Sequence, residues 1–296
     1  MNQSEKNHKI YLNEKAKGGH YFKLGDVKRA LVHYRNAYET SFGKEDADLI
    51  LELAILLEET GQLDDAMKFY RHAIKLDHEN PVAYYGLATT CEASEEFEEA
   101  LELYYRVLEL DEDADGIHCA IGNCYSELGQ HEEAIENFLE ALKRDKTDMP
   151  ALFGLGATYE ATDQTLKAYH YFMRAHKIIQ DDTLVLCYLG VVCAKLGQIQ
   201  SAIKYYELSI AADKYNVGSY ANLGQVYESV YGDFDSGIKI YSEGIENNPD
   251  EALLYLNRAL AYHAKNMPEQ ATADLDKAMQ LDKTIDMSLD GFRKNF

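Results

Sequence analysis

The chain has 296 residues, with 51 Asp or Glu against 29 Lys or Arg, and its net charge of −22 sets aside nucleic acid and anionic membrane surfaces, which both reward clustered cations. Apolar residues make up 46%, enough for an ordered core, and only four prolines interrupt it, as suits a helical chain. The start, MNQSEKNHKIYLNEKAK, lacks the apolar stretch of a secretory leader, no run is long enough to span a membrane, and the five cysteines form no CxxC pair, so a reduced, cytoplasmic setting is expected.

Charge is uneven along the chain. Residues 1–46 hold nine Lys or Arg against six Asp or Glu, a net of +3, and the remainder carries −25. Residues 1–10 read as an N-terminal extension, and helical patterning begins near residue 11. From there the text returns at a fixed interval. GQLDDAMKFYRHAIKLD begins at Gly61, EEFEEALELYYRVLELD at Glu95, GQHEEAIENFLEALKRD at Gly129, DQTLKAYHYFMRAHKII at Asp163 and GQIQSAIKYYELSIAAD at Gly197, a period of 34 residues. Each copy pairs two helical patterns. In the second, a small residue is followed by an aromatic four places on and a small residue three further on: Ala66, Tyr70 and Ala73; Ala134, Phe138 and Ala141; Ala168, Phe172 and Ala175. These spacings put all three on one helical face.

Between two copies, LDEDADGIH (residues 110–118) opens like a calcium-binding loop, with Asp111, Asp113, Asp115 and Gly116. Its twelfth place is Gly122 rather than a bidentate acid, so the stretch reads as a turn whose acids cap the following helix. Neither is there a nucleotide fingerprint at GLG (154–156), nor a GxSxG, HExxH or P-loop motif. His118, Cys119 and Cys124 do not converge on one helical side. Cys91 and Cys193 read as core, and Cys119 and Cys187 as thiols open to a groove. No catalytic residue, cofactor or metal site is expected.

Gly122, Tyr125, Gly129, Ala134, Phe138 and Ala141 together resemble the tetratricopeptide repeat (TPR), as do Leu155, Gly156 and Tyr159 one copy later and Leu223, Gly224 and Tyr227 two copies after that. The resemblance implies an all-α, right-handed superhelical solenoid of eight repeats over residues 11–285. Their bounds are 11–46, 47–80, 81–114, 115–148, 149–182, 183–216, 217–251 and 252–285, with residues 286–296 left as a capping tail. The copies depart from the pattern in places. Lys17 and Arg258 stand where Leu is usual, and the seventh repeat has one extra residue before Gly232. Gly237 and Gly244 replace packing alanines, which is expected to loosen that helix by about 1 kcal/mol per site.

The resemblance further implies a concave groove lined by the first helix of each repeat, mainly through its second, fifth, sixth, ninth, twelfth and thirteenth places. These include Tyr85, Gly86, Cys119, Asn123, Phe153, Gly154, Tyr188, Asn222 and Asn257. Small sixth places leave room for a ligand, aromatics anchor it, and the asparagines hydrogen-bond its main chain. Glu92, Glu127 and Glu160 make an acidic rim that steers a basic or amphipathic peptide. No basic set follows the first repeat, which argues against docking of acidic C-terminal tails. The expected role is a non-enzymatic scaffold or adaptor holding a peptide or helix. Two other classes stay open: a peptide-sensing regulator, for which no N-terminal effector segment is evident, and a structural protein that self-associates through its solenoid ends.

Overall fold

The computed structural model describes residues 3–285, which form sixteen α-helices and one short 3-10 turn at Gly43–Glu45, with no strand among the described residues. The chain divides into two compact units at Arg144/Asp145. Unit one holds α1 (Gln3–Lys23), α2 (Val27–Tyr38), α3 (Ala47–Glu59), α4 (Leu63–Leu76), α5 (Pro81–Ala93), α6 (Phe97–Leu110), α7 (Ile117–Glu127) and α8 (His131–Arg144). Unit two holds α9 (Met149–Ala161), α10 (Thr165–Ile178), α11 (Thr183–Lys195), α12 (Ile199–Ala212), α13 (Val217–Tyr231), α14 (Phe234–Asn247), α15 (Ala252–Ala264) and α16 (Pro268–Leu281). Residues 3–10, expected as an extension, are the opening turns of α1. The tail expected over 286–296 lies outside the described residues.

Each odd-numbered helix packs on the even one that follows, and each even one on the next odd helix within its unit. Most odd helices start on a capping side chain. Asp46 accepts from the Leu49 amide, Asn80 from Val82, Asp148 from Ala151, Asp182 from Val185 and Asn216 from Ser219. The aspartates of 111–115 do not follow this pattern. Gly116, in a left-handed conformation, takes the place before α7, and Asp111 Oδ1 accepts the Asp113 amide inside its own turn. The expected capping of α7 by these acids is therefore replaced by an Asx turn.

Every helix hairpin closes on one residue with positive φ. Gly25, Gly61, Gly129, Gly197 and Gly232 fill this place in five repeats, and Glu95, Asp163 and Asn266 accept it in the others. The next amide then reaches back five residues, as from Gln62 to Leu57, Glu96 to Cys91 and Gln130 to Tyr125, each at 2.8 Å, and six in the longer seventh repeat, from Asp233 to Tyr227 at 3.0 Å. This bond satisfies a carbonyl that the helix end would leave bare.

The core repeats a single contact, an aromatic ring of the second helix seated on a glycine of the first. A Cβ on Gly122 would lie 2.7 Å from Phe138, on Gly156 2.6 Å from Phe172, on Gly190 2.4 Å from Tyr206 and on Gly224 2.2 Å from Tyr241. In the second repeat Ala54 stands at the glycine place, and the Tyr70 ring lies against Gly86 of the following helix, 2.4 Å from a would-be Cβ. Gly86 is thus a seat for a core ring and does not line a groove. Gly244 is tight for the same reason: an added Cβ would meet Tyr220 Cγ at 2.9 Å and Leu254 at 3.0 Å. At Gly237 the three nearest obstacles all belong to the Glu228 side chain, Oε1 at 2.7 Å and Cγ at 2.9 Å. The two glycines expected to loosen α14 alike therefore differ. Gly237→Ala should stabilise the chain by up to about 1 kcal/mol through helix propensity, because a glutamate can swing aside. Gly244→Ala should destabilise it by about 1–3 kcal/mol through overpacking. Chemical denaturation of the two variants reads the signs, and equal shifts would contradict this packing.

Arg258 replaces an apolar residue of the last repeat without breaking its packing. Its guanidinium binds Asp274 through two hydrogen bonds, 2.7 and 2.8 Å, donates to Ser242 Oγ at 2.9 Å, and lies over the rings of Tyr255 and Tyr262.

Candidate peptide-binding face

In unit two the first helices touch in succession, α9 with α11, α11 with α13 and α13 with α15, and so form the inner layer of that unit. Three rings meet on this layer and just beneath it. Phe153 and Tyr188 lie edge to face at 5.2 Å, Tyr188 stacks on the buried Phe172 at 5.2 Å, and Phe153 meets Phe172 at 5.7 Å. Buried Phe172 thereby fixes two half-exposed rings of successive repeats at a set distance from each other. Beside them opens a pocket of about 390 Å³ lined by Leu184, Cys187, Tyr188, Val191, Asn216, Val217, Gly218 and Asn222. Leu184 stands 57% exposed at its edge. Asn222 lies across from Cys187, its Nδ2 4.0 Å from Sγ. Such a concavity takes an apolar side chain, and the amide of Asn222 can hydrogen-bond the main chain carrying it.

Of the residues read from sequence, Phe153, Tyr188 and Asn222 are brought together here, and Gly154 shares α9 with Phe153, its carbonyl accepting from Thr158 Oγ1 at 2.7 Å. Others fall elsewhere. Cys119 and Cys187 are buried with the remaining three cysteines, so neither is an open thiol, and burial raises the Cys187 thiol above its usual range. Asn257 is 6% exposed, and its Nδ2 has no hydrogen-bond partner. Its place in α15 turns inward rather than to a groove. In unit one, Tyr85 is exposed and lies 6.0 Å from the Tyr104 ring, while Asn123 and Glu127 stand exposed on α7.

The recurring glutamates have a structural cause that periodicity did not show. The Tyr70 hydroxyl donates to Glu58 at 2.6 Å and the Tyr104 hydroxyl to Glu92 at 2.7 Å, each across twelve residues of one hairpin. Glu58 also accepts from Thr89 Oγ1 at 2.9 Å. Where the ring is Phe172 there is no hydroxyl to satisfy, and Glu160 pairs with Lys195 instead, as does Asp163 at 3.7 Å. The rim expected of Glu92, Glu127 and Glu160 therefore has Glu92 tied to a tyrosine, Glu160 neutralised, and Glu127 free of any ion pair among the described residues. In the seventh repeat Glu228 and Tyr241 face each other, yet neither Glu228 Oε1 nor the Tyr241 hydroxyl has a partner of regular geometry. Burial pushes the Glu228 carboxyl above its ordinary range. Its ionised form is thus disfavoured in the folded chain, and the stability it contributes is present at low pH and lost as pH rises through its folded value. Glu228→Gln should raise the melting temperature at neutral pH, and the gain should vanish as the medium is acidified. A gain independent of pH would contradict the assignment.

Leu184, Val217, Gly218 and Lys195 were not singled out from sequence. Leu184 carried a signal nonetheless, standing at the second place of its repeat. The single cluster of metal-type donors among the described residues, Cys91, Glu96 and Glu99, lies within 4.8 Å. Burial pushes the Cys91 thiol up to about 12, and Glu99 is held by Arg71 at 2.7 Å. No described helix is long and apolar enough to cross a membrane.

Comparison with known proteins agrees with this architecture. Tetratricopeptide repeat family models match residues 21–91, 80–147, 185–216 and 232–284. The serine/threonine-protein phosphatase 5 of Homo sapiens is 43% identical over 51 residues, which is 17% of this chain and 10% of that protein. The match thus spans about a tenth of that relative. Among solved structures, a tetratricopeptide repeat protein from Parabacteroides merdae superposes with a TM-score of 0.67 at 18% identity, covering 81% of this chain and 96% of that one. Pseudomonas aeruginosa pilF gives 0.59 at 20% identity, covering 72% and 96%. At these identities the likeness is one of fold. The repeated ring-on-glycine hairpins and the four family matches lead to one conclusion: the chain belongs to the tetratricopeptide repeat family.

Proposed function

We infer that this TPR protein is a protein–protein interaction scaffold that holds an amphipathic peptide or helix against the first helices of unit two. The observation carrying this is the ring triplet Phe153, Phe172 and Tyr188 beside the apolar pocket edged by Leu184 and Asn222. Buried Phe172 anchors the other two rings, and pre-positioned aromatic anchors of this kind supply much of the energy at binding hot spots. An apolar side chain of the ligand fills the pocket while Asn222 bonds its main chain. The net charge of −22 favours ligands that add Lys or Arg around that apolar anchor. With Glu160 already paired to Lys195, charge acts through the general field more than through a row of free glutamates.

Selection of displayed random peptides on the immobilised full chain tests the reading. The expected result is a family of sequences with a large apolar residue flanked by Lys or Arg, weakened by added salt. Enrichment of acidic sequences, or of none, would sink it.

A further inference from the structure

Most second helices of the array begin on carboxylates: Asp64 and Asp65 in α4, Glu98 and Glu99 in α6, Glu132 and Glu133 in α8, Asp235 in α14 and Glu269 in α16. Acids there suit the positive end of the helix. α2, α10 and α12 depart from this rule, and in unit two α10 is the basic one. Residues 164–180 contain Lys167, Arg174, Lys177 and two histidines with no acid at all, in a chain of net charge −22. Lys167, His170, Arg174 and Lys177 follow one another at spacings of three and four, hence on one face, and Lys167, His170 and Lys177 are exposed. Aromatic rings lie beside two of these cations, and Arg174 also donates to the Lys146 carbonyl at 3.1 Å. Tyr159 and Tyr171 stack at 5.6 Å, the Lys167 ammonium sits 4.8 Å from the Tyr159 ring centre, and the Arg174 guanidinium 5.4 Å from that of Tyr171. Leu166 and Ile178, 73% and 43% exposed, add apolar surface at either end.

The complementary surface occurs on the same polypeptide. Residues 95–115 contain ten Asp or Glu against one Arg, a net of −9. Glu98, Glu102, Tyr105 and Glu109 recur at spacings of four and three and so share one face of α6, and Glu112 follows in the turn beyond its end. Glu109 is tied to Arg106, whereas Glu98, Glu102 and Glu112 are exposed and make no ion pair among the described residues. Each stripe has a tyrosine at its middle, Tyr171 in one and Tyr105 in the other.

We propose that the outward face of α10 docks the outward face of α6 of a second copy of this chain. The contact joins two different faces, one basic and one acidic, and each copy carries both, so one copy can engage further copies through the face left over. It uses second helices and leaves the ring-lined pocket of the first helices open. It is also distinct from contact between solenoid ends. Individual surface ion pairs contribute little, so the association is weak, and added salt dissolves it.

Charge exchange on full-length protein tests this by sedimentation velocity over a range of concentrations. Wild type should show a mass that rises with concentration and falls back to monomer with added salt. Lys167→Glu/His170→Glu/Lys177→Glu and, separately, Glu98→Lys/Glu102→Lys/Glu112→Lys should each stay monomeric. All six sites are exposed, and circular dichroism verifies that both variants keep their helices. Mixing the two variants should restore the association, because reversed α10 then meets reversed α6. A wild type that stays monomeric throughout, variants that associate as wild type does, or a mixture that stays monomeric would each overturn the proposal. The mixing arm separates loss of complementarity from misfolding, which mixing does not cure.

Discussion

Phe172→Ala is expected to cost about 3–5 kcal/mol, the range for emptying a buried aromatic site. Phe172 is 0% exposed, its ring sits on Gly156 of the preceding helix, and it stacks on Tyr188 of the next. Gly156→Ala should also destabilise, by about 1–3 kcal/mol, since the new Cβ would lie 2.6 Å from the Phe172 ring. The informative variant is the double. A methyl group at Gly156 enters the space that Phe172 vacates, so the two losses should fall short of their sum by about 0.5–3 kcal/mol. A repeat array need not unfold as one unit, so amide exchange in α9, α10 and α11 is the appropriate reading. Strictly additive losses would mean that the ring does not occupy its glycine seat.

Arg258→Leu is the second large effect, and its sign runs against the family pattern. Leucine is the usual residue at that place, yet the substitution should destabilise by about 3–5 kcal/mol, because it leaves the Asp274 carboxylate, 8% exposed, without its partner. Arg258→Leu/Asp274→Leu should recover most of that loss, since an apolar pair of similar volume is often as good as a buried ion pair or better. Urea unfolding of the wild type, the two single variants and the double completes the cycle. A double variant as unstable as Arg258→Leu would show that Ser242, Tyr255 and Tyr262, not Asp274, depend on the guanidinium.

These two sites mark what was legible in the sequence. The period, the helix pairs and the facing of Ala168, Phe172 and Ala175 follow from spacing, because a helix repeats its faces every few residues and a solenoid repeats its helices. Phe153, Tyr188 and Asn222 could be carried from the repeat pattern to one surface for the same reason. Spacing fails where two neighbours compete for one space. Gly86 has the small size expected of a groove position, but the Tyr70 ring of the preceding repeat lies against it. Cys119, Cys187 and Asn257 occupy nominally ligand-facing places and are nevertheless buried. The glutamates show a different limit. Their recurrence was visible, but its cause was chemical: Glu58 and Glu92 satisfy the hydroxyls of Tyr70 and Tyr104, and Glu160, facing a phenylalanine, is left for Lys195.

The central claim is that the ring-lined pocket of unit two is the binding face, and titration calorimetry on one selected peptide tests it most directly. The comparison is wild type, Tyr188→Ala/Asn222→Ala, and Leu208→Ala as an uncharged control on an exposed site of α12, each first shown to retain its helicity. The account predicts a loss of at least about tenfold for the pocket variant, as truncating an aromatic anchor typically costs. The control should bind as wild type does. Equal affinity for all three proteins would place the ligand on another face and contradict the account.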